Sequence, residues 1–231
     1  MLPVLIIWVI LRIRGKRNPK KPSPVISNAK KGPAVAASIL LPVILLSTTL
    51  AGYSQNRTLN YQIIRNGNKV GTILFSESST GETDHLKMES DVKTRFIFSF
   101  IAHATEEVIY HNGIMFRSSI YRRLNGSEKV NKQHQENNRQ YVIHAGDRSE
   151  ITKTYPITYN MLSFYSKEPV SITKVYSDNF ESFLNIQKTD AHAYRVTLPD
   201  GNYNNYYYKN GVLVLVEVHH SFYSANIVLV K

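Results

Sequence analysis

Asparagine–glycine pairs punctuate this chain and constrain its fold more than any other feature. Asn66-Gly67, Asn112-Gly113, Asn125-Gly126 and Asn210-Gly211 each separate two runs rich in β-branched and aromatic residues, and Asp200-Gly201 is a weaker copy. A two-residue turn whose twist matches the flanking strands needs positive φ at both turn positions, which asparagine and glycine tolerate best. The last of these turns is the clearest: Tyr206-Tyr207-Tyr208 leads into Lys209-Asn210-Gly211 and then into Val212 through Val218. The repeated unit is strand, tight turn, strand, so the chain reads as an antiparallel meander.

Taken in order, the first hairpin pairs Thr58–Arg65 with Lys69–Ser78, with apolar side chains at alternate positions. His85–Phe100 reads as one long strand with a bend or bulge near Ser90–Asp91. Thr105–His111 pairs with Ile114–Leu124, and the more polar Glu128–Gln135 and Gln140–His144 form an edge or rim. Val170–Tyr176, Glu181–Lys188, Ala193–Leu198, Tyr203–Lys209, Val212–His220 and Phe222–Val230 complete about a dozen strands. Val212, Val214, Val216 and Val218 would share one face of their strand, with Leu213 and Leu215 opposite. Pro156–Lys167 stands apart, because Ile157, Met161, Leu162, Phe164 and Tyr165 have near-helical spacing and Pro169 follows as a stop. So many antiparallel strands must hide their edges, and curling the sheet is the usual means. The expectation is an all-β domain over residues 55–231. Its meander would be curled into a barrel-like or half-barrel sheet, with the short helix or lid segment at Pro156–Lys167 over an open end or plugging it.

The first 54 residues are a different material. Arg12, Arg14, Lys16, Arg17, Lys20, Lys21, Lys30 and Lys31 fall there with no acid. They account for most of the chain's net charge of +11 and leave the remainder nearly balanced. A basic leader on a near-neutral domain points to targeting and away from nucleic acid, as no basic stripe with interleaved aromatics follows. Leu2–Ile13 is apolar but shorter than the roughly 20 residues that span a bilayer. Residues 1–33 are otherwise basic and proline-rich and should lack structure. Residues 34–54 have the anatomy of a signal peptide: Lys30-Lys31, the apolar run Ala34–Ala51, then small residues that allow cleavage after Ala51 or Ser54. Left uncleaved, the same run is an N-terminal hydrophobic helix that contacts the membrane. Two apolar runs in series also suggest a start nearer Val25. Every version places the domain outside the cytoplasm, in the periplasm or cell envelope.

No catalytic constellation stands out. The chain has no cysteine, which removes disulfides, thiolate zinc sites and a cysteine nucleophile. His219 and His220 are adjacent and, on a strand, point to opposite faces. Glu217 and His219 share a face but lack further ligands, so no metal site is assigned, and no cofactor either. His103, Glu106, Glu107 and His111 read as polarity on an outer face. Ser171-Ile172-Thr173-Lys174 matches an acylation motif that works at the start of a helix, and its β-rich surroundings mark the match as chance. The chain's 15 tyrosines offer apolar bodies with polar tips, suited to lining a cavity and equally at home in strands.

Five stretches carry a resemblance: Tyr61–Gly71 (YQIIRNGNKVG), His111–Ser118 (HNGIMFRS), Ile157–Pro169 (ITYNMLSFYSKEP), Val175-Tyr176-Ser177 and Pro199–Gly211 (PDGNYNNYYYKNG). In their order they resemble an uncharacterised family of exported β-rich proteins from the Bacteroidota, over nearly all of residues 56–231. The matching pieces are turns and strand aromatics, so the resemblance implies a fold and no chemistry. More distantly the pattern is similar to periplasmic lipoprotein carriers, which hold acyl chains in a half-open curved sheet.

The leading expectation is a non-enzymatic exported domain that binds a lipophilic ligand inside the curved sheet, or an envelope component on its rim. Tyr155, Tyr159, Met161, Phe164 and Tyr165 would cover the mouth, with Tyr206 and Tyr208 among the ligand-binding side chains. The alternatives are a structural partner in an envelope assembly and a hydrolase using carboxylates on neighbouring strands.

Overall fold

The computed structural model describes residues 55–95, 99–152 and 154–230. The proposed leader, residues 1–54, lies outside them. Among the described residues no helix is long and apolar enough to cross a membrane.

Among the described residues, fourteen strands form one antiparallel sheet. They are β1 (Gln55–Arg65), β2 (Asn68–Thr80), β3 (Thr83–Arg95), β4 (Ser99–His111), β5 (Ile114–Leu124), β6 (Ser127–Asn137), β7 (Gln140–Ala145) and β8 (Arg148–Thr152), then β9 (Lys174–Ser177), β10 (Ser182–Asp190), β11 (Ala193–Thr197), β12 (Tyr203–Lys209), β13 (Val212–His220) and β14 (Tyr223–Leu229). Among the described residues one four-residue helix, α1 (Ser163–Ser166), interrupts them. The spatial order is β8-β7-β6-β5-β4-β3-β2-β1-β14-β13-β12-β11-β10-β9. Two meanders therefore grow in opposite directions from a shared seam, β1 against β14, where Tyr61 opposes Leu229 and Ile63 opposes Ile227.

The turns follow the sequence signal closely. Asn66, Asn112, Asn125 and Asn210 have φ of 49–53°, each followed by a glycine at 73–80°. The turn between β6 and β7 adopts the same conformation without glycine, at Asn138 and Arg139.

The expected long strand His85–Phe100 is in fact two. β3 and β4 pair without interruption from Thr83↔His111 to Arg95↔Ser99, so no bulge falls at Ser90–Asp91. Alternation of apolar residues continues across the reversal, and that is why the break is invisible in the periodicity. The real bulges lie elsewhere. One places Val214 between Tyr207↔Leu215 and Tyr208↔Leu213. It turns Leu213 inward with Val216 and Val218, correcting the regular alternation expected over Val212–Val218. Another bulge, in β2, sets Gly71 beside β3, where a Cβ would stand 2.3 Å from the Asp91 carbonyl oxygen. β8, reached through Gly146 at φ 60°, is an added strand.

The sheet curls but does not close. β8 and β9 are its edges. Laid flat, β6 and β9 would be about 50 Å apart at the usual strand spacing. Instead the rings of His134 on β6 and Tyr176 on β9 meet edge to face at 5.8 Å. The two edges approach because one face of most of the longer strands is apolar and seeks a common interior, β6 being the polar exception. Alternating residues such as Phe75, Met88, Val108, Val196, Val216 and Ile227 are buried there.

Candidate ligand site inside the curled sheet

Because the meander alternates, its turns collect at two ends. Turns 66–67, 125–126, 146–147, 199–202 and 221–222 share one end, and 81–82, 112–113, 138–139, 191–192 and 210–211 the other. The chain leaves β8 at the second end and must cross to β9. It does so through the interior, where Ile157 and the run from Tyr159 to Tyr165 are buried and form a plug. Met115 N donates to the Ile157 carbonyl (2.7 Å), Tyr176 N to the Tyr159 carbonyl (2.9 Å), and Met161 N to the Tyr176 carbonyl (3.0 Å). The crossing segment thus bonds to β5 on one side and β9 on the other, bridging part of the gap that the ladder leaves.

The expected site residues are brought together here, with one exception. Phe164 stacks on Tyr206 and meets Tyr159 edge to face at 5.3 Å. Tyr165 packs against Tyr61 at 5.3 Å and Phe75 at 5.8 Å. The Tyr208 hydroxyl donates to the Phe164 carbonyl and the Tyr159 hydroxyl to the Lys167 carbonyl, both at 2.8 Å. Met161 is buried in the same cluster. Tyr155 lies apart, half-buried and 6.0 Å from Tyr141. Burial pushes the phenols of Tyr159, Tyr165, Tyr206 and Tyr208 above their ordinary value, so each remains a hydrogen-bond donor at any physiological pH. At the rim, Arg57 donates to the Ser166 carbonyl (2.5 Å) and to Glu77 (2.6 Å), and Ser166 Oγ also bonds Glu77. The segment is a floor fixed inside one end of the shell, rather than a lid lying across a mouth.

Above that floor a few inward positions are small or polar among apolar neighbours such as Ile73 and Val218. Ser90, Ala104 and Arg122 occupy one row, Ser90 opposite Ala104 and Ala104 opposite Arg122. Arg122 donates to Glu106, and both are buried. Glu106 therefore faces inward, correcting its assignment to the outer surface. On the opposing wall Asn204 is fully buried and its Nδ2 donates a long bond (3.4 Å) to the Tyr206 hydroxyl. The charge of Glu106 reaches across, adding to burial in holding up the Tyr165 and Tyr206 phenols. Four buried polar atoms of this group have no partner among the described residues: Ser90 Oγ, Arg122 Nε, the Tyr165 hydroxyl and Asn204 Oδ1. Of the four residues only Tyr165 stood out in the sequence. The others sit as single polar positions on strands whose flanking inward residues are apolar, a weak signal without the register.

A second polar group locks the sheet's edges. Asp178, between β9 and β10, accepts from Ser118 and from Asn160 Nδ2 (3.1 Å) and lies 3.6 Å from His134 Nδ1. Lys132 donates to the Asp178 and Asn179 carbonyls (3.2 Å each) and pairs with Glu181 (2.6 Å), which also takes Arg148 (2.5 Å). Burial pulls the His134 imidazole below its ordinary pKa, more than the Asp178 carboxylate raises it. Serine, histidine and aspartate meet here without forming a nucleophilic triad. Ser118 is bonded to the carboxylate, not the imidazole, so the imidazole is not placed to take its proton as in a triad.

On the outer face, Glu217 and His219 lie 3.6 Å apart as expected for one side of a strand, with His219 stacked on Tyr203. Among the described residues no group of three or more His, Cys, Asp or Glu side chains is placed to hold a metal ion. Ser171 lies in an exposed turn and Lys174 on β9, away from any helix start.

No curated protein matches the chain. Its fold is similar to the crystal structure of a β-barrel-like protein of domain of unknown function DUF1849 from Brucella abortus. The two share 10% sequence identity at a TM-score of 0.50, over 77% of this chain and 96% of that one. At such identity the likeness concerns the fold alone. A family model described as a domain of unknown function, DUF6134, matches residues 61–230, almost the whole of the curled sheet. The chain therefore belongs to the DUF6134 family.

Proposed function

We propose that this domain is a non-enzymatic binding module that takes a largely apolar molecule into the curled sheet. The observation that carries the reading is the set of four orphaned polar atoms above the aromatic floor. Each buried donor or acceptor left unpaired costs about 1–3 kcal/mol, and a guest that displaced the side chains now closed over these four atoms would supply the missing bonds. Tyr159, Met161, Phe164, Tyr165, Tyr206 and Tyr208 form the base on which the apolar part rests. Export to the periplasm or cell envelope fits the basic leader and the hydrophobic run at 34–51, and the family resemblance read from the sequence agrees with it.

A hydrolytic role is less well supported. The carboxylates with displaced pKa, Glu168, Glu181 and Glu217, are all displaced downward. In each, burial pushes the group up and donors such as Tyr194, Lys132 and Asn205 outweigh it. A general acid requires the opposite. The structural role retains one supporting feature, the edge strand β8, whose Ile151 is 67% exposed.

Mass spectrometry of an organic extract of the full chain, purified from its own envelope, tests the binding reading. A stoichiometric lipid or other apolar compound is expected, and an extract with none would refute the reading.

A further inference from the structure

The outer face of the sheet differs between its two halves. On β3 to β5 it carries alternating charges, among them Lys87, Glu89, Asp91, Glu107 and Arg123. On β10 to β14 amides and rings take their place. One outer row runs Gln187↔Arg195↔Asn205↔Glu217↔Asn226 and the next Thr197↔Tyr203↔His219↔Ser224. The arginine and glutamate of the first row are joined by the amide between them. Arg195 Nε donates to Asn205 Oδ1 (2.8 Å), and Asn205 Nδ2 donates to Glu217 (3.0 Å), which also accepts from the Tyr207 hydroxyl (2.8 Å). The guanidinium lies over the Tyr203 ring, 4.3 Å from its centroid, and Tyr203 stacks on His219 at 4.5 Å. Arg195 is therefore held in place, while its two Nη groups and the side-chain amides of Asn185 and Gln187 have no hydrogen-bond partner among the described residues.

At the β10–β11 end of these rows the surface is hollowed into an open groove of about 370 Å³, lined by Phe183, Asn185, Gln187, Arg195, Thr197 and Pro199 among others. That volume lies within the roughly 300–1,000 Å³ typical of small-molecule sites. Phe183 presents a ring that is 42% exposed. Each free amide pairs a donor with an acceptor, and the guanidinium offers a rigid fork of donors. Neighbouring hydroxyls of a pyranose ring, each both donor and acceptor, match such pairs, and its C–H face suits an aromatic ring. Glu217 beside the groove offsets Arg195, so the surface carries no excess charge to favour an anion or a cation. Side chains already fixed by their own contacts lose little freedom when a ligand arrives.

We propose that the β10–β11 groove, with the Arg195–Tyr203 shelf beside it, binds a neutral saccharide. Phe183 takes the C–H face of a sugar ring, and Arg195, Asn185 and Gln187 take its hydroxyls. The site lies on the outside of the shell and does not rest on the interior binding reading above.

The test is a calorimetric titration of the full chain with neutral hexasaccharides (cellohexaose, laminarihexaose, chitohexaose and maltohexaose) and with hexagalacturonate as the charged counterpart. At least one neutral hexamer is expected to bind, at least tenfold more tightly than hexagalacturonate. Arg195→Ala and Gln187→Ala should each weaken that binding several-fold, whereas Lys87→Ala, on the charged half of the outer face, should leave it unchanged. Should Arg195→Ala disturb the fold, Gln187→Ala and Asn185→Ala decide the matter, because neither amide makes an internal bond to lose. Binding indifferent to Gln187→Ala and Asn185→Ala would overturn the location. Hexagalacturonate binding as tightly as the best neutral hexamer would overturn the ligand class, and no binding by any neutral hexamer would overturn the proposal entirely. None of these results bears on the lipid extract, and an extract without lipid would leave the saccharide site standing.

Discussion

Phe164 lies flat against Tyr206, with ring centroids 4.1 Å apart and planes 11° from parallel. One ring belongs to the crossing segment and the other to β12, so this stack joins the plug to the wall. Both are buried, and Tyr159 packs edge-on against the same phenylalanine. Truncating Phe164 to alanine removes the stack and leaves a void that the four-residue helix has little freedom to fill. The expected cost is about 3–5 kcal/mol, read as a lower urea midpoint with an unchanged slope. Phe222→Ala, at a ring 66% exposed, is the control and should move stability by less than about 0.5 kcal/mol.

How much of this was legible beforehand differs between the shell and its contents. Turn chemistry is local: Asn112-Gly113 demands positive φ wherever it occurs, so the hairpins could be placed from the sequence. The inward aromatics of the plug were legible for a similar reason, since Phe164 and Tyr165 stand in a short segment with helical spacing and a proline stop. What stayed hidden depends on register. Glu106 looks the same as Glu107 in sequence, yet one is buried against Arg122 and the other faces out, because a single-residue step reverses a strand side chain. Asn204 and Ser90 gain their meaning from neighbours on strands far away in the chain. The reversal between β3 and β4 is hidden in the sequence because hydrophobic alternation runs unbroken from one strand into the next.

His134 makes stability depend on pH near neutrality. Its imidazole is fully buried, both ring nitrogens lack a hydrogen-bond partner among the described residues, and burial lowers its pKa below the ordinary 6.5. The unfolded chain therefore binds the proton more readily. The folded state has its full stability above about pH 6.5 and loses it as pH falls from there toward the depressed folded value. Around the ring, Asp178 and Glu181 favour the charged form while Lys132 and Arg148 oppose it. Replacing His134 with leucine should flatten the melting temperature between pH 7 and pH 5. It should cost little at pH 8, since no hydrogen bond is lost. A wild-type profile already flat over that range would contradict the assignment.

The Glu106–Arg122 pair should behave as a buried ion pair in a mutant cycle. Removing one partner strands the other charge among apolar side chains, so Arg122→Met alone and Glu106→Leu alone are each expected to cost about 3–5 kcal/mol. The double replacement removes both charges and their desolvation, and should recover most of that loss. Chemical unfolding of the four proteins measures the coupling. Additive losses would mean that the two side chains do not share one buried environment.

The incomplete closure of the sheet assigns a specific task to Glu181. No ladder joins β8 to β9, so the curl is kept by the plug and by side chains across the gap, and Glu181 takes both Lys132 and Arg148. Arg148 is 45% exposed, so its share is largely screened by solvent. The contact with the better-buried Lys132 carries the larger part. Glu181→Gln should therefore destabilise by only about 1–2 kcal/mol, and the difference from wild type should shrink at high salt. The carboxylate's pKa is lowered because its lysine and arginine partners outweigh burial, which pushes it up. Its contribution is thus present above pH 4.5 and lost as pH falls through the depressed folded value. The more telling measurement is hydrogen exchange. β7 and β8, held at the edge, should lose protection in the variant while β3 and β4 keep theirs, because opening at the gap leaves the centre of the sheet paired. Equal loss across all strands would show that the edges do not open independently.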